Sequence, residues 1–367
     1  MPGHLARGPG GPCGSLLTPI LETAKPRSLS TDGACAAVPG EVFDMLTAGE
    51  LASETKPFAR EDRRQSWWHL WSTLAILTGL LGTTCLEVHC LVRVCCSILA
   101  GLVLVRMFVI YHDHQHGTIL RHSRLADLIM LIYGVCVLTP PSIWKRSHNH
   151  HHMNNGRMLL SKIGSYPLMT VADYARASRR ERFRYFIARH PVTMLLGYFT
   201  VFLYGMCLRP FWTKPKEHWD GGLAIVLHLG MVVALVFLAP GALVFACLLP
   251  IMLAAAVAAY LFYAQHNFPT FEIKPADEWD YVFAGLRSSS YLSMGPVMGW
   301  FTGNIGYHHV HHLNARIPFY RLPEAMAAIE ELRSPATTSL HPVEIYRCLR
   351  LKLWDPQKNR LVSFAGE

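Results

Sequence analysis

The chain is poor in charge. Of 367 residues only 16% are Asp, Glu, Lys or Arg, while 51% are hydrophobic. Soluble chains carry about 25% charged residues. The deficit excludes a disordered chain, argues against an ordinary soluble enzyme, and points to segments immersed in lipid. Cysteine is also sparse. Ten Cys with no Cys-x-x-Cys pair exclude a disulfide scaffold and a zinc ribbon. Cys85, Cys95, Cys96, Cys136, Cys207 and Cys247 sit in apolar runs, where they serve as small hydrophobes. The net charge of +9 comes without a basic groove motif, so no nucleic-acid partner is expected. No Gly-x-Gly-x-x-Gly fingerprint for a dinucleotide and no Cys set for an iron–sulfur cluster occur.

Histidine is abundant and unevenly placed. Eleven of the 20 His fall in three five-residue runs, His112–His116, His148–His152 and His308–His312, where random placement would put fewer than one. Around them lie long apolar stretches. Trp67–Leu86 carries no formal charge, and Leu91–Tyr111, Gly221–Ala239 and Ala242–Ala264 are comparably long. Each is long enough to cross a hydrocarbon core of about 30 Å. Arg106 lies within the second stretch, and an intramembrane charge is either functional or snorkels to the interface.

Charge placement sets the expected orientation. The links Glu87–Cys90 and Pro240–Gly241 contain no Lys or Arg, whereas Arg121–Lys216 contains fifteen. The positive region and the collar Lys56–Arg64 therefore face the cytoplasm, and Arg93 snorkels outward. The expected fold is an all-α integral membrane protein with four transmembrane helices in two hairpins. Interfacial helices and a cytoplasmic-side helical cap carry the His runs. Leu125–Ile143 and Pro191–Leu208 cannot each cross once without stranding a run on the far side. Both are expected to lie in the interface or re-enter, with Pro140-Pro141 ending the first. Residues 1–55 read as a mobile tail, a targeting segment or residues ahead of the true start, with a short helix over Glu41–Leu51. Residues 56–335 form the membrane domain, and 336–367 a C-terminal cytoplasmic segment. The absence of an obvious retention signal favours a bacterial inner membrane, leaving the endoplasmic reticulum and plastid open.

The spacing within the runs carries chemistry. His112 and His116 are i, i+4. His148, His151 and His152 are i, i+3, i+4, and His308, His311 and His312 repeat that pattern. On a helix these positions share a face. Eight converging imidazoles exceed one ion's needs, since structural zinc takes four ligands, so two transition metals are the economical reading. Imidazole suits iron, zinc, copper and nickel, and redox chemistry at a membrane face favours iron. No Glu-x-x-His motif of bundle di-iron sites is present. His266, at the end of the fourth stretch, is a further candidate ligand whose bland alternative is an interfacial cap. Asp113 and Asn149 are candidates to orient ligand rings, and Asn304 to hold a metal-bound water or to cap a turn. His114, His150 and His309 fall off the shared faces. His69, His89, His228 and His341 read as ordinary structural histidines. The arginines of Arg176–Arg184 form a solvated face or dock an acidic electron carrier or anionic lipid.

The three runs match, in order, the HxxxH, HxxHH and HxxHH boxes of the membrane fatty-acid desaturases and related hydroxylases, which this sequence resembles from roughly Trp67 to Ala328. Gly303–Glu324 is similar to the third-box context of omega-6 (Δ12-type) acyl-lipid desaturases, and Trp144–His152 to their second box. His114-Gln115 departs from the Cys-Gly of many relatives. The resemblance implies a non-haem di-iron centre that uses dioxygen to remove two hydrogens from an acyl chain and leave a cis double bond. It implies that the eight box His are iron ligands, with His266 as a ninth, and no catalytic residue beyond the ligands. The expected substrate is a membrane lipid or fatty acyl chain held in an apolar tunnel. Some relatives fuse a cytochrome b-type domain marked by His-Pro-Gly-Gly; none is found here. Electrons are therefore expected from a separate ferredoxin or cytochrome. Hydroxylases and ketolases of the same superfamily are the nearest rival reading. A His-rich metal transporter is a distant one, because it would want ionisable ligands midway through the spans.

Overall fold

A computed structural model describes residues 48–157, 165–275 and 277–366. The expected helix over Glu41–Leu51 and the rest of the N-terminal tail lie largely outside these residues. Met45–Glu367 forms one compact unit. It therefore begins ahead of residue 56: the helix Ala48–Glu54 buries Leu51 in the main core.

Four long helices carry the architecture among the described residues. Arg63–Cys85 begins where Asp62 accepts hydrogen bonds from the Arg64 and Gln65 amides, at 2.9 and 3.0 Å. It turns at Leu86–His89 into Cys90–Gln115, and the two pack as a hairpin. The second hairpin joins Trp219–Leu238 to Pro240–Ala264. Cys90–Gln115, Trp219–Leu238 and Pro240–Ala264 are long and apolar enough to cross a membrane. Phe237 and Leu238 stand 80% and 83% exposed at the turn of the second hairpin, as expected of side chains bathed in lipid rather than water. The hairpins meet closely at Gly101, where a Cβ would lie 2.9 Å from the Pro250 carbonyl oxygen. Leu243–Leu248 is wound as a π-helix just before Pro250, whose missing N–H breaks the regular ladder.

Two intramembrane arginines are pinned rather than free. Arg93 donates to the Thr84 carbonyl at 2.8 Å and lies over the Phe245 ring, so it braces the first hairpin turn. Arg106 is buried, bonds Thr73, His69 and the Trp300 carbonyl, and stacks on the Trp300 ring. It ties the first hairpin to the segment leading into the third His run.

Leu125–Ile143 is not one straight helix. Arg124–Cys136 and Pro141–Asn154 are two helices bent by 91°. Pro140 and Pro141 set the break, and Asp220 of the second hairpin caps the new helix by accepting from the Ser142 amide at 2.8 Å. Pro191–Leu208 is likewise broken, into Pro191–Leu195 and a π-helical Tyr198–Leu208.

The fold is mainly helical, and the expectation of helices alone takes one correction. Tyr291–Ser293 pairs in parallel with Thr337–Ser339. Leu353–Asp355 pairs with both Met169–Thr170 and Arg360–Val362. These strands have only two or three residues, and the two parallel pairings join segments far apart in sequence, so no local period announces them. Through them residues 337–355 pair with segments that follow the second His run and precede the third.

Candidate metal centre

Each His run sits where a helix ends or a short helix is clamped. His112 occupies the last turn of Cys90–Gln115, and His116 caps it, its amide bonded to the His112 carbonyl at 3.1 Å. His148, His151 and His152 line the inner face of Pro141–Asn154. His308–Leu313 is a six-residue helix, fully buried. The loop entering it presses on Leu292, where a Cβ on Gly306 would meet the carbonyl oxygen at 2.4 Å. His266 follows the end of Pro240–Ala264.

The rings converge but divide. His112, His116, His148, His152 and His311 form one group, and His151, His266, His308 and His312 a second. Within each, one nitrogen per ring lies within 4.8 Å of all the others. In the first group Nε2 atoms approach at 2.9 Å (His112 to His148), 3.1 Å (His148 to His152) and 3.1 Å (His152 to His311). In the second they close a loop: His151 to His266 at 3.0 Å, His266 to His308 at 2.9 Å, His308 to His312 at 3.1 Å and His312 to His151 at 3.2 Å. Each HxxHH helix splits the same way. Its i, i+4 pair stays together, and the intervening i+3 ring crosses to the other group.

The outward nitrogens explain why the inward ones face each other. His266 Nδ1 meets the Ser288 carbonyl at 2.9 Å, and a carbonyl only accepts, so Nδ1 carries the proton. A neutral His266 then points a bare lone pair at two other Nε2 atoms. His112 Nδ1 faces Asp113 Oδ1 at 2.9 Å in the same sense. His151 Nδ1 is held by Ser165 Oγ at 2.7 Å. Burial pushes the His266 pKa down to about 4, and pushes His151, His308 and His312 well below the usual imidazole range, so these rings are neutral. Four neutral rings in a closed loop, one of them a pure acceptor at Nε2, have at most three protons for four contacts. His116 Nε2 is buried with no hydrogen-bond partner at all. A cation within each group removes both conflicts, so this donor set fits two borderline metal ions such as iron.

Around the rings, Asp113 is doubly engaged: its second oxygen accepts from the Phe319 amide at 2.7 Å, tying the first run to the segment after the third. Asn149 is exposed and turned away from the ligand face. Asn304 adopts a left-handed φ of 55° and donates to the Phe319 carbonyl at 3.3 Å, as a turn residue does. Of the off-face histidines, His114 meets Asp127 at 3.2 Å, His150 contacts Asn154, and His309 is buried with Nε2 3.3 Å from the Leu332 carbonyl. Sequence reasoning missed Ser165, the Ser288 carbonyl and Trp144, whose ring stacks on His148 at 4.4 Å. Only Trp144 left a sequence signal, one helical turn before His148.

Residues 88–342, which hold all nine rings, match the family model for fatty acid desaturase. The chain belongs to the fatty acid desaturase family. It is 30% identical over 328 residues to a fatty acid desaturase of Bacillus subtilis, covering 86% of this chain and 91% of the relative. An sn-1 oleoyl-lipid 12-desaturase of Synechocystis is 23% identical over 275 residues, covering 74% of this chain and 77% of the relative. An sn-1 acyl-lipid omega-3 desaturase (ferredoxin) of Nostoc is 27% identical over 250 residues, covering 64% of this chain and 66% of the relative. Family membership and the paired groups agree on metal binding.

Proposed function

We propose that this protein is a dioxygen-dependent di-iron desaturase that introduces a cis double bond into a lipid-linked fatty acyl chain. The observation that carries the proposal is the division of nine imidazoles into two inward-facing groups. Group one would hold one iron through five rings, group two a second through four. Bound iron would supply the redox chemistry with dioxygen; the overall change takes two hydrogens from adjacent methylenes, two electrons from a carrier and two protons from solvent, and converts one dioxygen to two waters.

The chain's own residues position and shield. Asp113 and the Ser288 carbonyl fix ring tautomers from outside, and the Ser165 hydroxyl holds the His151 ring, as second-layer partners do in metal sites. Burial of the rings excludes water. We assign the acyl chain to the apolar cavity among the spans lined by Leu104, Phe108, Tyr133, Tyr198, Ile251 and Ala255. Phe108 lies 6.0 Å from Trp144, which in turn stacks on His148, so this cavity approaches group one. The boxes would face the cytoplasm of a multi-pass membrane protein, by the excess of Lys and Arg on that side. The electron donor would be a separate carrier, ferredoxin or cytochrome; one relative's name includes ferredoxin.

Expression in a host with simple lipids, followed by fatty-acid profiling, tests the proposal. A new double bond that disappears in His151→Ala is the expected result. An unchanged profile from iron-loaded protein with a working donor would refute desaturation, and hydroxylated chains would select the hydroxylase reading.

A further inference from the structure

A second cavity adjoins group two. His151 and His266 form part of its wall, beside apolar Phe262, Phe271 and Trp354 and two arginines, Arg157 and Arg189. Arg189 is 2% exposed. Its terminal nitrogens are taken by the Pro167 and Leu351 carbonyls, the Tyr263 hydroxyl and Asn267, but its Nε is buried without an acceptor. Arg157 lies flat on the Trp279 ring at 3.9 Å, and its Nε is also buried without an acceptor. Behind Arg189, the buried Lys352 ammonium donates to the Arg189 carbonyl at 2.5 Å.

No carboxylate pairs with any of these three cations among the described residues. Asp173 reaches the cavity wall, yet its oxygens are engaged by Thr170 and Arg176, at 2.8 Å each. Arg189 and Lys352 are buried and Arg157 half-buried, and burying an unpaired cation costs several kcal/mol. Buried guanidinium N–H groups left without acceptors add to that cost. The local charge is therefore incomplete in the protein alone, and the missing component is an anion. Two guanidinium Nε–H groups without acceptors suit a phosphate, which can accept from both and is attracted by both charges. The apolar half of the wall suits the glycerol and first methylenes of an acyl ester.

We infer that this cavity binds the phosphate of a lipid headgroup, with Arg157 and Arg189 as its cationic wall. The inference takes its ligand class from the acyl-lipid reading above and its location from the cavity alone. It gives the acyl carrier a chemical identity, a phosphate-bearing glycerolipid, and sets the carrier's polar end on the group-two side.

The test uses full-length iron-loaded protein in a neutral detergent, with thermal stability read against added dioctanoyl phosphatidic acid, inorganic phosphate or dioctanoylglycerol. Phosphatidic acid is expected to stabilise at the lowest concentration, inorganic phosphate only at far higher ones, and dioctanoylglycerol not at all. R157Q should bind phosphatidic acid about tenfold more weakly, R189Q at least as weakly, and R157K between R157Q and the native protein. Equal binding by R157Q, R157K and the native protein would overturn the site. Inorganic phosphate or dioctanoylglycerol matching phosphatidic acid would overturn its assignment to a lipid phosphate. The readout needs no turnover, so protein that binds the amphiphile yet makes no double bond counts against desaturation and leaves the site standing.

Discussion

The two imidazole groups have the same ligand chemistry and different surroundings. Group one has five rings, an aromatic wall of Trp144, Tyr111 and Phe108, and a carboxylate, Asp113, on one ring. Group two has four rings, a hydroxyl and a backbone carbonyl as outer partners, and a cavity with arginines beside it. A buried carboxyl beside one group and cations near the other would make two metal sites unequal in affinity and access. Group two is where small polar species would reach the centre, and group one is where an apolar chain would be gripped.

Breaking one group at a time is the harshest test of this division. His152→Ala removes a ring from group one and His312→Ala one from group two. Each should lower bound iron from about two to about one per chain and abolish desaturation. Loss of both ions from either variant would show that the groups are not separate. Outer partners come next. Asp113→Asn should weaken iron binding at group one by about 10–100-fold, because it replaces a charge-assisted partner of His112. Ser165→Ala should weaken group two by no more than about tenfold, since a hydroxyl is a poorer fixer of the ring. Competition with a chelator measures both, and equal effects would erase the contrast.

The smallest expected effect concerns Lys352. Burial, with Arg189 beside it, pushes its pKa down to about 8 from 10.5. Between those values the unfolded chain binds more protons than the folded one, so stability rises with pH. In phosphate-free detergent, raising pH from about 8 to about 10 should add about a degree to the native melting temperature relative to Lys352→Met. The same rise in both proteins would mean that this ammonium is not destabilised.

What the sequence made legible follows the same physics. Three of the expected spans, Cys90–Gln115, Trp219–Leu238 and Pro240–Ala264, were readable because apolar residues dominate each over some twenty residues, a signal that needs no tertiary context. The bend at Pro140-Pro141 was readable because proline's effect is local. The eight rings of the three runs were readable because i, i+3, i+4 spacing survives any packing of the helix, and His266 only from its place at the end of the fourth apolar stretch. Their division into two groups was not, since it depends on where the neighbouring helix lies. Ser165 and the Ser288 carbonyl act on rings distant in sequence, His151 and His266, through the fold alone. Asn149 shows the reverse: one residue past His148, about 100° round the helix, it faces out. The strands at Tyr291–Ser293 and Leu353–Asp355 are too short to imprint alternation, and their parallel partners lie more than forty residues away.

X-ray absorption at the iron edge of the purified, iron-loaded protein, with metal content measured on the same sample, is the most direct test of the centre. The account predicts about two irons per chain in a nitrogen- and oxygen-only shell, with the multiple scattering of several imidazoles. A single iron per chain, or sulfur in the shell, would contradict it.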